Sequence, residues 1–501
     1  MRLPARLRWL LVSRARFPVI LVMIGIPFSG CVAKRPSMEG FPPAVASARC
    51  LWSPAAEDSL IVAGNLIMPG GEVREAALYA EHGKIREIST RADLVKAFPG
   101  ASVMSCTNAL ISPGLINAHE HTNYSFTGAP VDLDPVYVHR DEWRLGLNGK
   151  RKIEPPSSSD PRILAWVELR HLLSGVTTIA GSGAVMGITK NASRQGTPEY
   201  EYQIDAATFP FGTSAMEEFL KFPCNSPPRS LPEPQLTAGV PPGVAYVPHV
   251  GEGVGCASEL EISSFLHFAE RNSGRPYSLI HGVGLKPEHV DVLERLSVVL
   301  VWSPRSNLSL YGTTTNPANL LDRGIPLALG TDWSPSGSYD IWEEMDCGQR
   351  FMAQAGLREM TGLELWKMTT SNAAKAIGID SRTGAIHVGL DADFMIMDGL
   401  STSDLASFGK QTASNVLATI VAGRVQAVDA RKVHGRQVGT TCPNSLAGKR
   451  ICIDFESMGF TFQEMLQRNE ASVPIGSSAG QAPCEFKGWP PAPQGAAATA
   501  N

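Results

Sequence analysis

The chain has 501 residues, with 48 acidic against 44 basic side chains and a formal net charge of −4. Charged residues make up 18% and apolar ones 43%, the balance of a globular protein rather than a disordered or fibrous one. That balance offers no basic field of the kind nucleic acid requires, and the length allows several domains or one large domain with additions.

The first segment reads as a targeting signal, not as fold. Arg2, Arg6, Arg8, Arg14 and Arg16 precede or open an apolar run, Phe17 to Phe28, too short to span a bilayer comfortably. That order is a secretory signal peptide over residues 1–31. It ends in Phe28-Ser29-Gly30-Cys31, which resembles a bacterial lipobox. Processing there makes Cys31 the lipidated first residue, held on a membrane surface by its acyl chains without a spanning helix. Residues 32–48, with several Pro, Ser and Ala, read as a tether. The expected location is the bacterial cell envelope, on the periplasmic or surface side. Eight more cysteines follow, and export makes disulfides the expectation. Spacing cannot choose among their pairings. Cys50 with Cys106, and Cys442 with Cys452 or Cys484, are the candidates.

Ser59 to Ile88 alternates apolar and polar residues around Pro69-Gly70-Gly71 and Glu81-His82-Gly83, which is hairpin punctuation. Pro113 to His121 is an apolar run ending in His119-Glu120-His121. Strand side chains alternate faces, so two imidazoles at that spacing point the same way and can bind one metal ion. Residues 122–161 form a long insertion, a candidate lid or substrate wall, with His139 as its candidate substrate contact. Ile163 to Leu173 is an amphipathic helix closed by Ser174-Gly175, followed by a strand at Val176 to Ala180. Gly187 to Asn191 and Ile204 to Phe209 are the next two expected strands, and Phe222 to Gly243 is Pro-rich and extended.

Three further apolar runs end in a polar residue before a breaker. They are Ala245 to Glu252 with His249, Leu279 to Leu285 with His281, and Leu327 to Ser334 with Asp332. Each reads as a buried strand handing a polar residue to a loop. Glu288 to Leu296 is a helix before a strand at Val298 to Trp302, and Thr361 to Ile377 reads as one last helix. Strands alternating with helices favour an α/β fold with a parallel sheet. Pro490 to Asn501 is Pro/Ala-rich and reads as a disordered end.

Four strand ends thus offer His119, His121, His249, Glu252, His281 and Asp332, a donor set that suits Zn²⁺ or Fe²⁺. Each has a plainer reading: His281 as a core histidine, Glu252 as a loop carboxylate, Asp332 as a helix N-cap.

The order His-x-His, His-x-x-Glu, His-Gly, Gly-Thr-Asp resembles the amidohydrolase superfamily, in the branch of cytosine and guanine deaminases, triazine chlorohydrolases and imidazolonepropionase. Trp302 to Leu310 resembles that branch's strand-seven motif, with Ser303 in place of its usual Cys. Thr370 to Gly378 resembles its last helix, and Gly384 to Phe394 its return to a small β-domain. The likeness covers roughly residues 58 to 430. It implies a (β/α)8 TIM barrel over 113–383, a small composite β-sandwich from 49–112 and 384–430, and an extension over 431–501. It implies one divalent metal, zinc or iron, on His119, His121, His249 and Asp332. The implied activity is hydrolysis of non-peptide C–N bonds in a small molecule by a metal-activated water, either deaminating a nitrogen heterocycle or opening a cyclic amide. In that scheme Asp332 takes the water's proton, His281 bonds the water or polarises the electrophile, and Glu252 carries protons to the leaving group. Ser303, Asn307 and Trp333 join His139 as candidate substrate contacts. The rivals are a binuclear dipeptidase or lactonase, for which Lys190 and Lys221 are the nearest bridging lysines, and a non-catalytic binding lipoprotein. Assembly into a homo-oligomer stays open.

Overall fold

The computed structural model describes residues 47–55, 58–129, 136–183, 187–194, 202–212, 231–398 and 405–489. The signal segment with Cys31, nearly all of the tether, Lys221 and residues 490–501 lie outside them.

The chain opens with β1 (Arg49–Ser53), β2 (Ser59–Ile67), β3 (Val73–Glu81), β4 (Lys84–Ser89) and β5 (Ser102–Pro113). Eight short strands follow: β6 (Leu115–Asn117), β7 (Val176–Ile179), β8 (Lys190–Ser193), β9 (Tyr202–Gln203), β10 (His249–Val250), β11 (Ser278–His281), β12 (Val299–Trp302) and β13 (Leu327–Leu329). The last are β14 (Phe394–Met397), β15 (Val416–Val421), β16 (Arg424–Asp429), β17 (Val433–His434), β18 (Asn444–Leu446) and β19 (Lys449–Ile451).

Both ends of the chain share one sheet, ordered β18-β19-β16-β15-β14-β5-β2-β3-β4, with β1 joined to β5 and β17. β14 runs antiparallel to β5, with Phe394 opposite Pro113. The pleat alternation of the sequence sets the buried face, where Trp52, Val62, Met104, Ile111, Phe394, Ile396 and Ile420 pack together. Cys50 and Cys106 are cross-strand neighbours on β1 and β5 and form a disulfide. The sheet does not stop at residue 430: β17, β18 and β19 continue it, and a Cys442–Cys452 disulfide ties β18 and β19 to the short helix before them. Without them β16 would be a bare edge.

The eight central strands form two four-stranded parallel sheets, β6-β7-β8-β9 and β10-β11-β12-β13. Backbone bonds link the sheets at both sides. Asp205 N donates to Ala245 O at 2.8 Å, and Val247 N to Asp205 O at 2.9 Å. Opposite, Ala118 N donates to Leu329 O at 3.0 Å. β6, β11, β12 and β13 are mainly apolar, as buried parallel strands are, whereas β8 (Lys190–Ser193) is largely polar. Ile116, Ala180, Ile204, Val247, Ile280, Val301 and Ala328 pack in one cluster. Phe265, Leu293, Met345, Phe351 and Trp366 pack in another. Trp302 and Trp366 are fully buried, each stabilising the fold by about 2–3 kcal/mol.

The expected last helix is two, Gly362–Met368 and Ser371–Ala376. The Thr369 and Thr370 hydroxyls donate back to the Leu365 and Trp366 carbonyls at 3.1 and 2.7 Å and compete with the helical ladder. The strand expected over Ile204 to Phe209 is not formed: the observed strand, Tyr202–Gln203, precedes it, and of the expected residues Asp205 makes an isolated bridge to Tyr246. The extension is an integral layer: helix Phe462–Arg468 packs on helix Pro161–Leu173, Trp166 Nε1 donates to Val473 O at 2.8 Å, and Cys484 is disulfide-bonded to Cys347.

Candidate active site

The polar residues at the ends of β6, β10, β11 and β13 meet at one rim. His119 Nε2 lies 3.1 Å from Asp332 Oδ1, and His121 Nε2 lies 3.4 Å from the same oxygen. His249 Nε2 is 3.4 Å from His121 Nε2. His281 converges from β11, its nearest ligand atom within 4.8 Å of those of His119 and His249. The contact of β13 with β6 requires Gly330, whose missing Cβ would sit 2.5 Å from His119 Cβ. Asp332 and His281 are held at φ 57° and 74°, a left-handed backbone costing about 1–3 kcal/mol per residue. Asp332 N donates to His119 O at 3.0 Å and locks that turn.

The donor set fits a divalent ion. The spacings from His119 to Asp332, Asp332 to His121 and His121 to His249 run from 3.1 to 3.4 Å, close to the roughly 3.3 Å between neighbouring ligands of a zinc ion, and the donors form two triads that share His119, one with His121 and Asp332 and one with His249 and His281. Burial holds His121 down at about 4 and His249 well below the usual range. Both imidazoles are therefore neutral and keep a lone pair for a cation near pH 7. Burial alone would raise the Asp332 carboxyl, but the hydrogen bond from His119 holds it below the ordinary range.

A second ring of groups fixes the first. Ser306 Oγ donates to Asp332 Oδ2 at 2.6 Å. His281 Nδ1 donates to Asn307 Oδ1 at 3.0 Å, and Asn307 Nδ2 donates in turn to Thr314 Oγ1 at 3.0 Å. That leaves His281 Nε2 without a hydrogen bond, 3.8 Å from Glu252 Oε2. Tyr311 donates to the other Glu252 oxygen at 2.9 Å. Glu120, between the two paired histidines, faces the opposite way. It accepts from Asn117 at 3.3 Å, from Ser125 and from Thr331, and lies 3.1 Å from His171 Nε2. Burial would raise it, yet the nearby His171 ring and the Arg170 charge keep it below its usual range. It braces the loops that carry His119 and Asp332.

Sequence reasoning missed Glu120, Ser306, Tyr311 and His171. A carboxylate flanked by two metal-type histidines was the one available signal. The predicted substrate contacts fare unevenly. His139 is corrected: it is fully buried, accepts from Asp141 N at 3.3 Å as the N-cap of helix Arg140–Leu145, and stands 3.5 Å from Glu261. Asn307 is committed to His281 and Thr314. Ser303 is buried at the start of helix Pro304–Tyr311 with no hydrogen bond to its hydroxyl. Trp333 packs between Trp143 and Tyr124, its ring centre 6.4 Å from that of His121. Lys190 is not at the cluster; its Nζ pairs with Asp391 at 2.8 Å and Asp393 at 3.0 Å.

A cavity of about 430 Å³ opens beside His119, His121 and His249, walled mostly by Ala, Gly, Ser and Thr with Arg194 and Gln203. A larger one of about 830 Å³, lined by Arg170, Arg305, Glu343 and Lys449, touches none of the metal-type residues.

Residues 263–426 match the model of the amidohydrolase family. A 5-methylthioadenosine/S-adenosylhomocysteine deaminase of Shouchella clausii is 27% identical over 360 residues, 64% of this chain and 78% of that protein. An imidazolonepropionase of Cupriavidus taiwanensis is 27% identical over 402 residues, 72% of this chain and 92% of that protein. Among solved structures, guanine deaminase from C. acetobutylicum with bound guanine superposes with a TM-score of 0.52 at 16% identity, covering 73% of this chain and 99% of that one. An adenosine deaminase from Xanthomonas campestris with bound zinc gives 0.50 at 17% identity, covering 83% and 100%. The structural likenesses speak for the fold.

Proposed function

We infer that the chain is an amidohydrolase, an enzyme that hydrolyses non-peptide carbon–nitrogen bonds of a small molecule with a divalent metal. The observation that carries this is the convergence of His119, His121, His249 and Asp332, linked by spacings of 3.1 to 3.4 Å, beside the Glu252–His281 pair. The two parallel sheets, bonded at both sides, support reading residues 113–383 as a closed (β/α)8 barrel. The single sheet built from both flanks supports a composite β-domain there, in place of two packed sheets.

A bound divalent ion supplies Lewis acidity toward water and the electrophilic carbon. We propose zinc, with iron as the other candidate for imidazole and carboxylate donors. Asp332, held ionised, accepts the proton of the attacking water through its Oδ1 edge. His281 keeps Nε2 open toward the reacting centre because Asn307 holds Nδ1. Glu252 presents Oε2 to the same space and carries the proton to the leaving nitrogen. The substrate is a planar nitrogen compound, either a purine-type base or nucleoside that loses ammonia or a cyclic amide that opens. Lys190, spent on Asp391 and Asp393, gives a bridged binuclear centre no support.

Two measurements test this. Metal analysis of protein purified without chelator should give about one ion per chain. Ammonia release from guanine and 5-methylthioadenosine, set against ammonia-free loss of imidazolonepropionate, should then separate the two reactions. No metal after reloading, or two per chain, would sink the mononuclear reading.

We also propose an exported lipoprotein anchored through Cys31. The arginine-rich start, the apolar run and three disulfides among the described residues support it. Failure of a labelled fatty acid to enter the wild-type chain, with Cys31→Ser as control, would remove the anchor.

A further inference from the structure

The insertion after His121 reads as a cover over the site, yet its contacts converge on Glu252. Arg140 N donates to the Glu252 carbonyl at 3.1 Å, and Val254 N donates to the Val138 carbonyl at 2.7 Å. His139 and Gly253 form an antiparallel bridge between the two segments. The approach needs glycine: a Cβ at 253 would lie 2.4 Å from the Val138 oxygen and 2.8 Å from His139 Cα. The Arg140 guanidinium grips both Glu261 oxygens, and Glu261 accepts Gly251 N at 2.9 Å, so the other end of the same loop is tied to the insertion.

The side chains repeat the pattern. Trp143 Nε1 donates to the Tyr311 hydroxyl at 2.9 Å, and that hydroxyl donates to Glu252 Oε1 at 2.9 Å. Trp143, Tyr311, Glu252 and Arg140 are all buried. A phenol has one O–H, and the Trp143 donor leaves it no choice of role. Burial and the Glu252 charge push the Tyr311 phenol well above its usual range, so it stays a donor. Helix Pro304–Tyr311 thereby aims three side chains at three reacting groups: Ser306 at Asp332, Asn307 at His281 and Tyr311 at Glu252.

We propose that the insertion is a clamp for Glu252, with Tyr311 as its positioning residue and Trp143 as the link between them. The clamp pins one carboxylate oxygen and the backbone, and leaves the other oxygen to face His281 and the proton in flight. A carboxylate that gives up and takes a proton within one turnover gains from being held in a single orientation. This rests on the reading of Glu252 as proton carrier.

The test uses the metal-loaded full chain, on guanine or 5-methylthioadenosine, whichever releases ammonia, together with amide hydrogen exchange. Tyr311→Phe should keep its metal and its KM while kcat falls about 10- to 100-fold, the loss of one hydrogen bond to a charged group. Trp143→Phe should shift kcat the same way by less. In a Glu252→Gln background Tyr311→Phe should add nothing. Trp143→Ala should deprotect the Val254 amide, and Tyr311→Phe should leave it protected. Unchanged kcat in Tyr311→Phe, or a raised KM with kcat intact, overturns the clamp and leaves the metal hydrolase standing. Val254 protection that survives Trp143→Ala overturns it too. Full turnover by Glu252→Gln instead overturns the proton-carrier reading beneath it.

Discussion

Replacing Ser306 with alanine should weaken metal binding without unfolding the protein. The Ser306 hydroxyl donates to Asp332 Oδ2 at 2.6 Å, and Asp332 Oδ1 is the oxygen that faces His119 and His121. Asp332 already sits at φ 57°, so its carboxylate is aimed by bonds and not by an easy backbone. A hydrogen bond to a charged group contributes about 1.5–3 kcal/mol. Spent on orienting a metal ligand, that becomes about 10- to 100-fold in affinity. The lost volume is one oxygen in a fully buried position, so the packing penalty is small. The assay is competition of the metal-free protein against a chelator of known affinity, with thermal melting alongside. Ser309→Ala is the control: Ser309 bonds the backbone of Ser306 and Ser336 rather than Asp332, and its loss should leave affinity unchanged. A Ser306→Ala affinity within about twofold of wild type would refute the view that this bond holds the ligand in place.

His249→Ala should lose metal and activity together, read by elemental analysis and ammonia release. Glu252→Gln should keep the metal and lose turnover; a variant that loses both would make Glu252 a ligand instead. Glu344 is buried with Oε2 unpaired, and burial raises its carboxyl to about 7. The folded state then holds a proton that the unfolded state has released between about pH 4.5 and 7, so this stability is present below that window and is lost as pH rises through it. Glu344→Gln should therefore be more stable than wild type at about pH 8, by up to ~3 kcal/mol, and equal to it at about pH 4; equal denaturation midpoints at both would count against it. Cys484→Ser opens a bridge spanning 137 residues and should cost up to about 5 kcal/mol in chemical denaturation.

The metal-type residues were legible because each follows a local rule. His119, His121, His249, His281 and Asp332 end apolar runs that stop at a turn, and two histidines spaced by one residue on a strand must share a face. Cys50 with Cys106 was among the candidate pairs, whereas Cys442 stayed open between Cys452 and Cys484 until the fold placed Cys484 against Cys347. The last helix was misread because its apolar spacing runs straight through Thr369 and Thr370, and only their hydroxyl bonds break it. His139 was misplaced because a histidine in a polar insertion suits a substrate contact and a helix cap equally well until Glu261 is beside it.

By itself the sequence determined which donors exist and which strand ends deliver them, since strand alternation and turn chemistry act over a few residues. The tertiary structure alone decided which groups aim those donors. Ser306 reaches Asp332 across 26 positions, Tyr311 reaches Glu252 across 59, and Trp143 reaches Tyr311 across 168. No local preference encodes such a pairing. It exists only once packed strands and helices have brought distant backbone within hydrogen-bond range, where a buried donor left unmatched would cost about 1–3 kcal/mol.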